Sequence, residues 1–136
     1  MRERVPRVGK AGVALLEDHQ LVCNKRGRDG TGKANLVNRA GHQVWGALYT
    51  LWPEDLEILD GFESGYERIE TWVLRRDERV EAVTYRSARL IEEPVPLASY
   101  RALILAGARE HGLPVDYLTT LEALPFRADP RRPPDR

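Results

Sequence analysis

One cysteine in 136 residues excludes an internal disulfide. The three histidines, His19, His42 and His111, are scattered, and Cys23 has no partner at a metal-ligand spacing, so no metal site is expected. Lysine plus arginine equals aspartate plus glutamate at 21 each, which leaves a formal net charge of zero and no global field to attract nucleic acid or a membrane surface. No run approaches the roughly 18 apolar residues of a membrane span, and no charged-then-apolar leader opens the chain, so a cytoplasmic protein is expected.

What is present is ordinary for a globular domain: 42% hydrophobic and 31% charged residues, enough for one sizeable core. Strand-like segments run through Val13 to Leu16, His19 to Cys23, Asn35 to Val37, Gln43 to Leu51, Glu67 to Leu74 and Val80 to Arg86. Glu17-Asp18 reads as a hairpin turn, Gly41 as a second turn, and Arg75 to Arg79 as the charged loop of a further hairpin. After Pro94 and Pro96 the character changes. Ser99 stands where a helix N-cap belongs, Tyr100 to Glu110 is rich in Ala, Leu and Arg, and Gly112-x-Pro114 stops it. A shorter helix from Pro114 to Leu124 turns Tyr117, Leu118, Leu121 and Leu124 inward. Strands first and helices afterwards give an α+β domain over residues 1–126, with residues 127–136 expected to form a flexible Pro/Arg/Asp tail.

The stretch from Val44 to Tyr66 is the densest in chemical signals. Gln43 to Tyr49 is a strand carrying Gly46. Leu51 to Asp60 then has Pro53 in its first turn and acids at the positive end of the dipole, with Leu56, Leu59 and Phe62 at helical spacing. Gly61 and Gly65 bracket Phe62-Glu63-Ser64, so the helix is expected to unwind there and present Glu63 beside an aromatic, where partial burial raises a carboxyl pKa. On spacing alone Glu63 is equally one of 21 acids, most of them solvated. Cys23, inside the apolar run Leu21-Val22-Cys23, reads as a small buried residue rather than a nucleophile.

Gly27 to Ala34 fits most of a phosphate-binding loop, with glycines at 27 and 32 and Lys33 directly after them. The pattern needs a hydroxyl after the lysine and a helix starting there, whereas Ala34 comes next and Asn35 to Asn38 is strand-like. No nucleotide site and no helix at Lys33 are expected. The segment Lys25 to Lys33 nevertheless carries four positive groups against Asp29, and it either greets an anionic ligand or stands as a solvated loop.

Val44-Trp45-Gly46, then Leu59-Asp60-x-x-Glu63-x-Gly65-Tyr66, then Tyr85, and finally Gly107-Ala108-x-Glu110-x-Gly112-Leu113-Pro114-x-x-Tyr117 resemble the γ-glutamylcyclotransferase family in order and spacing, from about Arg4 to Leu124. The resemblance implies a small mixed, largely antiparallel, barrel-like sheet with flanking helices. It also implies an enzyme that cyclises a γ-glutamyl amine or amino acid to 5-oxoproline and releases the free amine, without metal or cofactor. Glu63 then matches the acid/base residue, Tyr85 and Tyr100 the pocket tyrosines, and Tyr66 and Asn35 further pocket positions. The implied partner is a small γ-glutamyl compound, with homo-oligomers possible. The family opens with a strand running into a Tyr-Gly-Ser-Asn loop that is absent here, while Met1 to Arg7 matches the helix and turn that lie beyond that loop. The chain is therefore expected to begin late, and to cyclise poorly for want of the loop's N–H donors. A relative that binds a small amine or carboxylate without catalysis, or serves as an interaction module, is the alternative.

Overall fold

The computed structural model describes residues 9–62, 65–92 and 95–130. Four strands and three helices run in order: β1 (Gly9–Arg26), β2 (Gly32–Thr50), α1 (Pro53–Phe62), β3 (Glu67–Arg75), β4 (Glu78–Arg86), α2 (Ala98–Glu110) and α3 (Val115–Glu122). The α+β class expected from the sequence is what these elements form.

Strands β1 and β2 make one long antiparallel hairpin, paired from Gly9↔Thr50 to Arg26↔Gly32. The turns expected at Glu17-Asp18 and at Gly41 are not chain reversals. Asp18 (φ 57°) and Gly41 (φ 81°) both adopt left-handed backbone within the strands, and the Gly41 N–H donates to Asp18 Oδ1 at 3.0 Å. The two signals fall opposite one another and are absorbed as an irregularity between the Glu17↔Gln43 and His19↔Asn38 pairs, which re-aims the strands without ending them.

A second irregularity, between Val22 and Lys25, brings β1 against Gly32 so closely that a Cβ there would lie 2.1 Å from the Cys23 carbonyl oxygen. No other residue type fits at Gly32. Gly32→Ala is expected to destabilise the fold by about 3 kcal/mol, through backbone displacement of the kind that overpacking forces. Urea denaturation measures it, and an unchanged midpoint would contradict the close approach.

Cys23 is itself 3% exposed, and burial pushes its thiol up to about 11. Its reaction with a disulfide reagent at mildly alkaline pH is expected to be about a hundredfold slower in the native than in the urea-unfolded chain. Equal rates would place the thiol at the surface.

Strands β3 and β4 pair continuously from Glu67↔Arg86 to Arg75↔Glu78, and Arg76 (φ 58°) with Asp77 turns the chain in two residues, tighter than the five-residue loop expected. A Leu15↔Leu74 pair joins this hairpin to the first, giving the order β2-β1-β3-β4. The barrel-like sheet expected from the resemblance is not closed by a ladder among the described residues. β2 and β4 remain its outer strands, although both contribute to the wall of one groove.

Helix α1 ends at Phe62, within the stretch bracketed by Gly61 and Gly65 where unwinding is expected, and α2 differs from expectation at its start. Leu97, not Ser99, occupies the N-cap of α2, and its side chain makes no cap bond. The Asp129 carboxylate instead accepts from the Ser99 N–H at 2.9 Å and from the Ser99 hydroxyl, contacts that hold its carboxyl below the usual carboxylate range. Arg127 also bonds by its backbone to Pro96 and Ala98, so the chain beyond 126, expected to be a flexible tail, is tied to the start of α2 at least to Asp129.

Helix α2 ends as its sequence predicts. Gly112 (φ 68°) takes the left-handed position, its N–H reaches Arg109 O, and the Leu113 N–H reaches Ala108 O. That reversal returns α3 onto the sheet. Leu105 and Ala108 of α2, Leu113, and Tyr117 and Leu121 of α3 pack against Leu16, Leu36 and Val44, forming the core on one face of the β1–β2 hairpin. Burial pushes the Tyr117 phenol up to about 12, against a smaller opposing pull from its hydrogen bond to the Trp45 backbone.

Candidate active site

A groove of about 400 Å³ lies between the outer strands, with Asn35 and Trp45 from β2, Tyr66 just before β3, and Thr84 and Tyr85 from β4 among its walls. Of the five residues singled out in the sequence, Asn35, Tyr66 and Tyr85 therefore share one cavity. Tyr100, from the first turn of α2, reaches the same wall through its hydroxyl, which accepts the Ala34 N–H at 3.0 Å. Glu63 and its neighbour Ser64 lie outside the described residues.

The described chain on both sides of Glu63 is anchored to this groove. On the near side, Asp60 in the last turn of α1 accepts from the Tyr85 hydroxyl at 2.5 Å and lies 3.4 Å from Arg68 Nη1, so one carboxylate ties α1 to β4 and β3 together. On the far side, the Ser87 hydroxyl donates to Gly65 O at 2.7 Å, and the Tyr66 hydroxyl donates to Ala34 O at 2.7 Å. Gly65 holds φ 84°, a conformation glycine adopts without strain. Asp60 and Tyr66 thus each bond a residue of the cavity wall, Tyr85 and Ala34 respectively.

Ala34 is the meeting point of two tyrosines: its N–H goes to Tyr100 and its C=O to Tyr66. Both polar groups of an outer-strand residue are thereby satisfied by side chains. Each ring in turn carries an ammonium, Lys25 Nζ at 4.9 Å from the Tyr66 centroid and Lys33 Nζ at 4.6 Å from that of Tyr100. In the adjoining loop, Asp29 accepts from the Thr31 N–H and hydroxyl at 2.9 and 2.6 Å, which together with Lys33 draw its carboxyl down to about 2. Lys33 sits at the start of a strand with no helix beneath it, so the phosphate-loop lookalike has neither the dipole nor the hydroxyl that its pattern needs.

Asn35 occupies the groove wall in a particular way. It is 3% exposed, and its amide is committed within the fold: Nδ2 donates to Asn24 Oδ1 and Ser87 O, and Oδ1 accepts from the Leu36 and Ser87 N–H groups. It locks the chain just after β4 to β1 and β2. Asp60 stands within the family motif, yet sequence reasoning assigns it no role, although an acid three residues before Glu63 is a readable signal. Ser87 and the Ala34 peptide carry none, since their parts depend on pairings between distant segments. Among the described residues no three His, Cys, Asp or Glu side chains converge as metal ligands, and no helix is long and apolar enough to cross a membrane.

The arrangement is an apolar-walled cavity with phenol hydroxyls fixed by carboxylate and peptide partners, and with the Lys25 and Lys33 ammoniums over the Tyr66 and Tyr100 rings. The pattern of the AIG2-like family matches residues 43–121. Gamma-glutamylcyclotransferase of Homo sapiens is 32% identical over 123 residues, covering 82% of this chain and 64% of that protein, and the Bos taurus protein of the same name is 31% identical with the same coverage. The chain thus spans just under two thirds of these relatives. A solved gamma-glutamyl cyclotransferase structure superposes with a TM-score of 0.83 at 27% identity, covering 93% of this chain and 80% of that one.

Proposed function

Because the chain belongs to the AIG2-like family and is γ-glutamylcyclotransferase-like, we propose that its groove cyclises a γ-glutamyl amine or amino acid to 5-oxoproline and releases the free amine. The observation that carries this reading is the pair of anchors, Asp60 on Tyr85 and Tyr66 on Ala34, which bind the chain on either side of Glu63 to one cavity.

In this reading Glu63 takes a proton from the substrate α-ammonium, and the freed amine attacks the γ-carbonyl. As the tetrahedral adduct collapses, Glu63 returns that proton to the departing nitrogen, the C–N bond to the leaving amine breaks, the lactam C–N bond remains, and the ring nitrogen gives up its second proton, which ends on the freed amine as its ammonium form. The step is redox-neutral and adds no water. Its advantage is largely one of geometry, since intramolecular attack in a preorganised five-membered ring reaches effective molarities of about 10⁵–10⁸ M. Tyr66, Tyr85 and Tyr100 hold the substrate in that fold. Their hydroxyls are fixed beforehand, so little ordering remains to be done on binding.

The test is 5-oxoproline release from a panel of γ-glutamyl compounds, by the chain as given and by the chain with a strand ending in Tyr-Gly-Ser-Asn prepended. Turnover of at least one member, faster with the extension, is expected. If neither form turns over any member, the groove is the ligand-binding site of a non-catalytic relative.

A further inference from the structure

Helix α2 opens without a cap of its own. Leu97 at the N-cap makes no side-chain bond, and the first turn contains no acid to meet the positive end of the helix dipole. Both needs are met from far along the chain. The Ala98 N–H donates to Arg127 O at 2.8 Å, and the Ser99 N–H, one that an N-cap side chain ordinarily takes, donates to Asp129 Oδ1 at 2.9 Å. The Ser99 hydroxyl donates to the same carboxylate. Two residues on, the Arg101 guanidinium lies 4.5 Å from the Phe126 ring centroid and donates to Glu122 O. Tyr100 stands between these two holds.

Tyr100 is what this turn delivers to the groove. Its hydroxyl accepts the Ala34 N–H at 3.0 Å, Ala34 lines the cavity, and the Ala34 carbonyl accepts from the Tyr66 hydroxyl at 2.7 Å. Lys33 makes a second link. Its ammonium lies 4.6 Å from the Tyr100 centroid, and its charge, after the larger effect of the Ser99 contacts, helps to hold the Asp129 carboxyl below the usual carboxylate range. A contact that served the helix alone would end at Ser99, whereas this one continues through the next residue to a peptide of the cavity wall.

We propose that Asp129 is a positioning residue of the groove, which fixes the first turn of α2 and through it Tyr100 and the Ala34–Tyr66 stretch of the wall. Its effect on substrate affinity rests on the cyclotransferase reading, its effect on the wall does not, and the two are read separately. Amide hydrogen exchange follows the Ala34 N–H, with the β3–β4 amides as internal reference, and 5-oxoproline release from the γ-glutamyl panel gives KM and kcat. Asp129→Ala is expected to speed exchange at Ala34 about threefold to thirtyfold, the range that loss of a helix cap implies, and to leave the β3–β4 amides unchanged. Asp129→Asn keeps an acceptor for the Ser99 N–H and recovers part of the protection. Made on Tyr100→Phe, which has already lost the hydroxyl, Asp129→Ala is expected to add nothing at Ala34. In an active protein KM rises in Asp129→Ala with kcat nearly unchanged. The exchange pattern in a parent that turns over no substrate leaves the positioning role and removes the cyclotransferase reading. Exchange at Ala34 that is unchanged, that rises equally with the β3–β4 amides, or that rises as much on Tyr100→Phe overturns the inference, as does an unaltered KM in an active protein.

Discussion

Glu63→Gln is expected to lower 5-oxoproline release by about 10³-fold or more while leaving KM and the unfolding midpoint nearly unchanged. The amide keeps the shape of the side chain but can neither take the ammonium proton nor hand it on. General acid–base groups typically contribute about 10²–10⁴ in rate, and here one group serves in both directions of transfer, which places the loss towards the upper part of that range. The flanking anchors do not involve residue 63: Asp60 remains on Tyr85 and Arg68, Ser87 on Gly65, and Tyr66 on Ala34. The loss should therefore appear in kcat. A variant within about threefold of its parent would show that Glu63 is not the proton carrier, and a loss confined to KM would make it a binding residue.

The second large effect is expected from Asn35→Ala, and it falls on stability. Four hydrogen bonds converge on this buried amide, and truncation leaves the Ser87 N–H, the Ser87 carbonyl and the Asn24 amide without their partner in a site only 3% exposed. Each buried polar group left unmatched costs about 1–3 kcal/mol, so a total near 3–5 kcal/mol is expected, allowing for some rescue by water. For a chain of this size that corresponds to a fall in melting temperature of roughly 10–20 °C. Because Ser87 also holds Gly65, activity should fall along with stability. An Asn35→Ala variant with the parent's midpoint and a raised KM would mean that the amide faces substrate instead of the fold.

The parts of the fold that are legible in the sequence are those with local causes. The β3–β4 hairpin arises from two alternating runs around a charged turn, and the end of α2 arises from Gly112, the residue that relieves left-handed strain there. The long β1–β2 hairpin reads as separate shorter strands because Asp18 and Gly41 are turn-formers in isolation. Only their position opposite one another, fixed by the Gly41 N–H to Asp18 bond, converts two turns into one irregularity. Ser99 resembles a cap because the carboxylate that bonds it, Asp129, comes from 30 residues further along the chain.

For the site the same division holds. The aromatic residues and Asn35 announce themselves by type and by family spacing, and three of them line one groove. Which of their polar atoms are committed is not legible, since Ala34, Ser87 and Asp60 become partners only when β2, β4 and α1 meet. The basic loop reads as a candidate anion contact, but its two lysines differ in a way that composition hides. Asp29 neutralises Lys33, while Lys25 faces Gly65.

The most direct test of cyclisation is the fate of solvent oxygen. With γ-glutamylalanine as substrate in water enriched in heavy oxygen, the account predicts unlabelled 5-oxoproline and free alanine in equal amounts, because the attacking atom is the substrate's own nitrogen. Glutamate carrying a heavy oxygen in its γ-carboxylate would contradict it and make the protein a hydrolase.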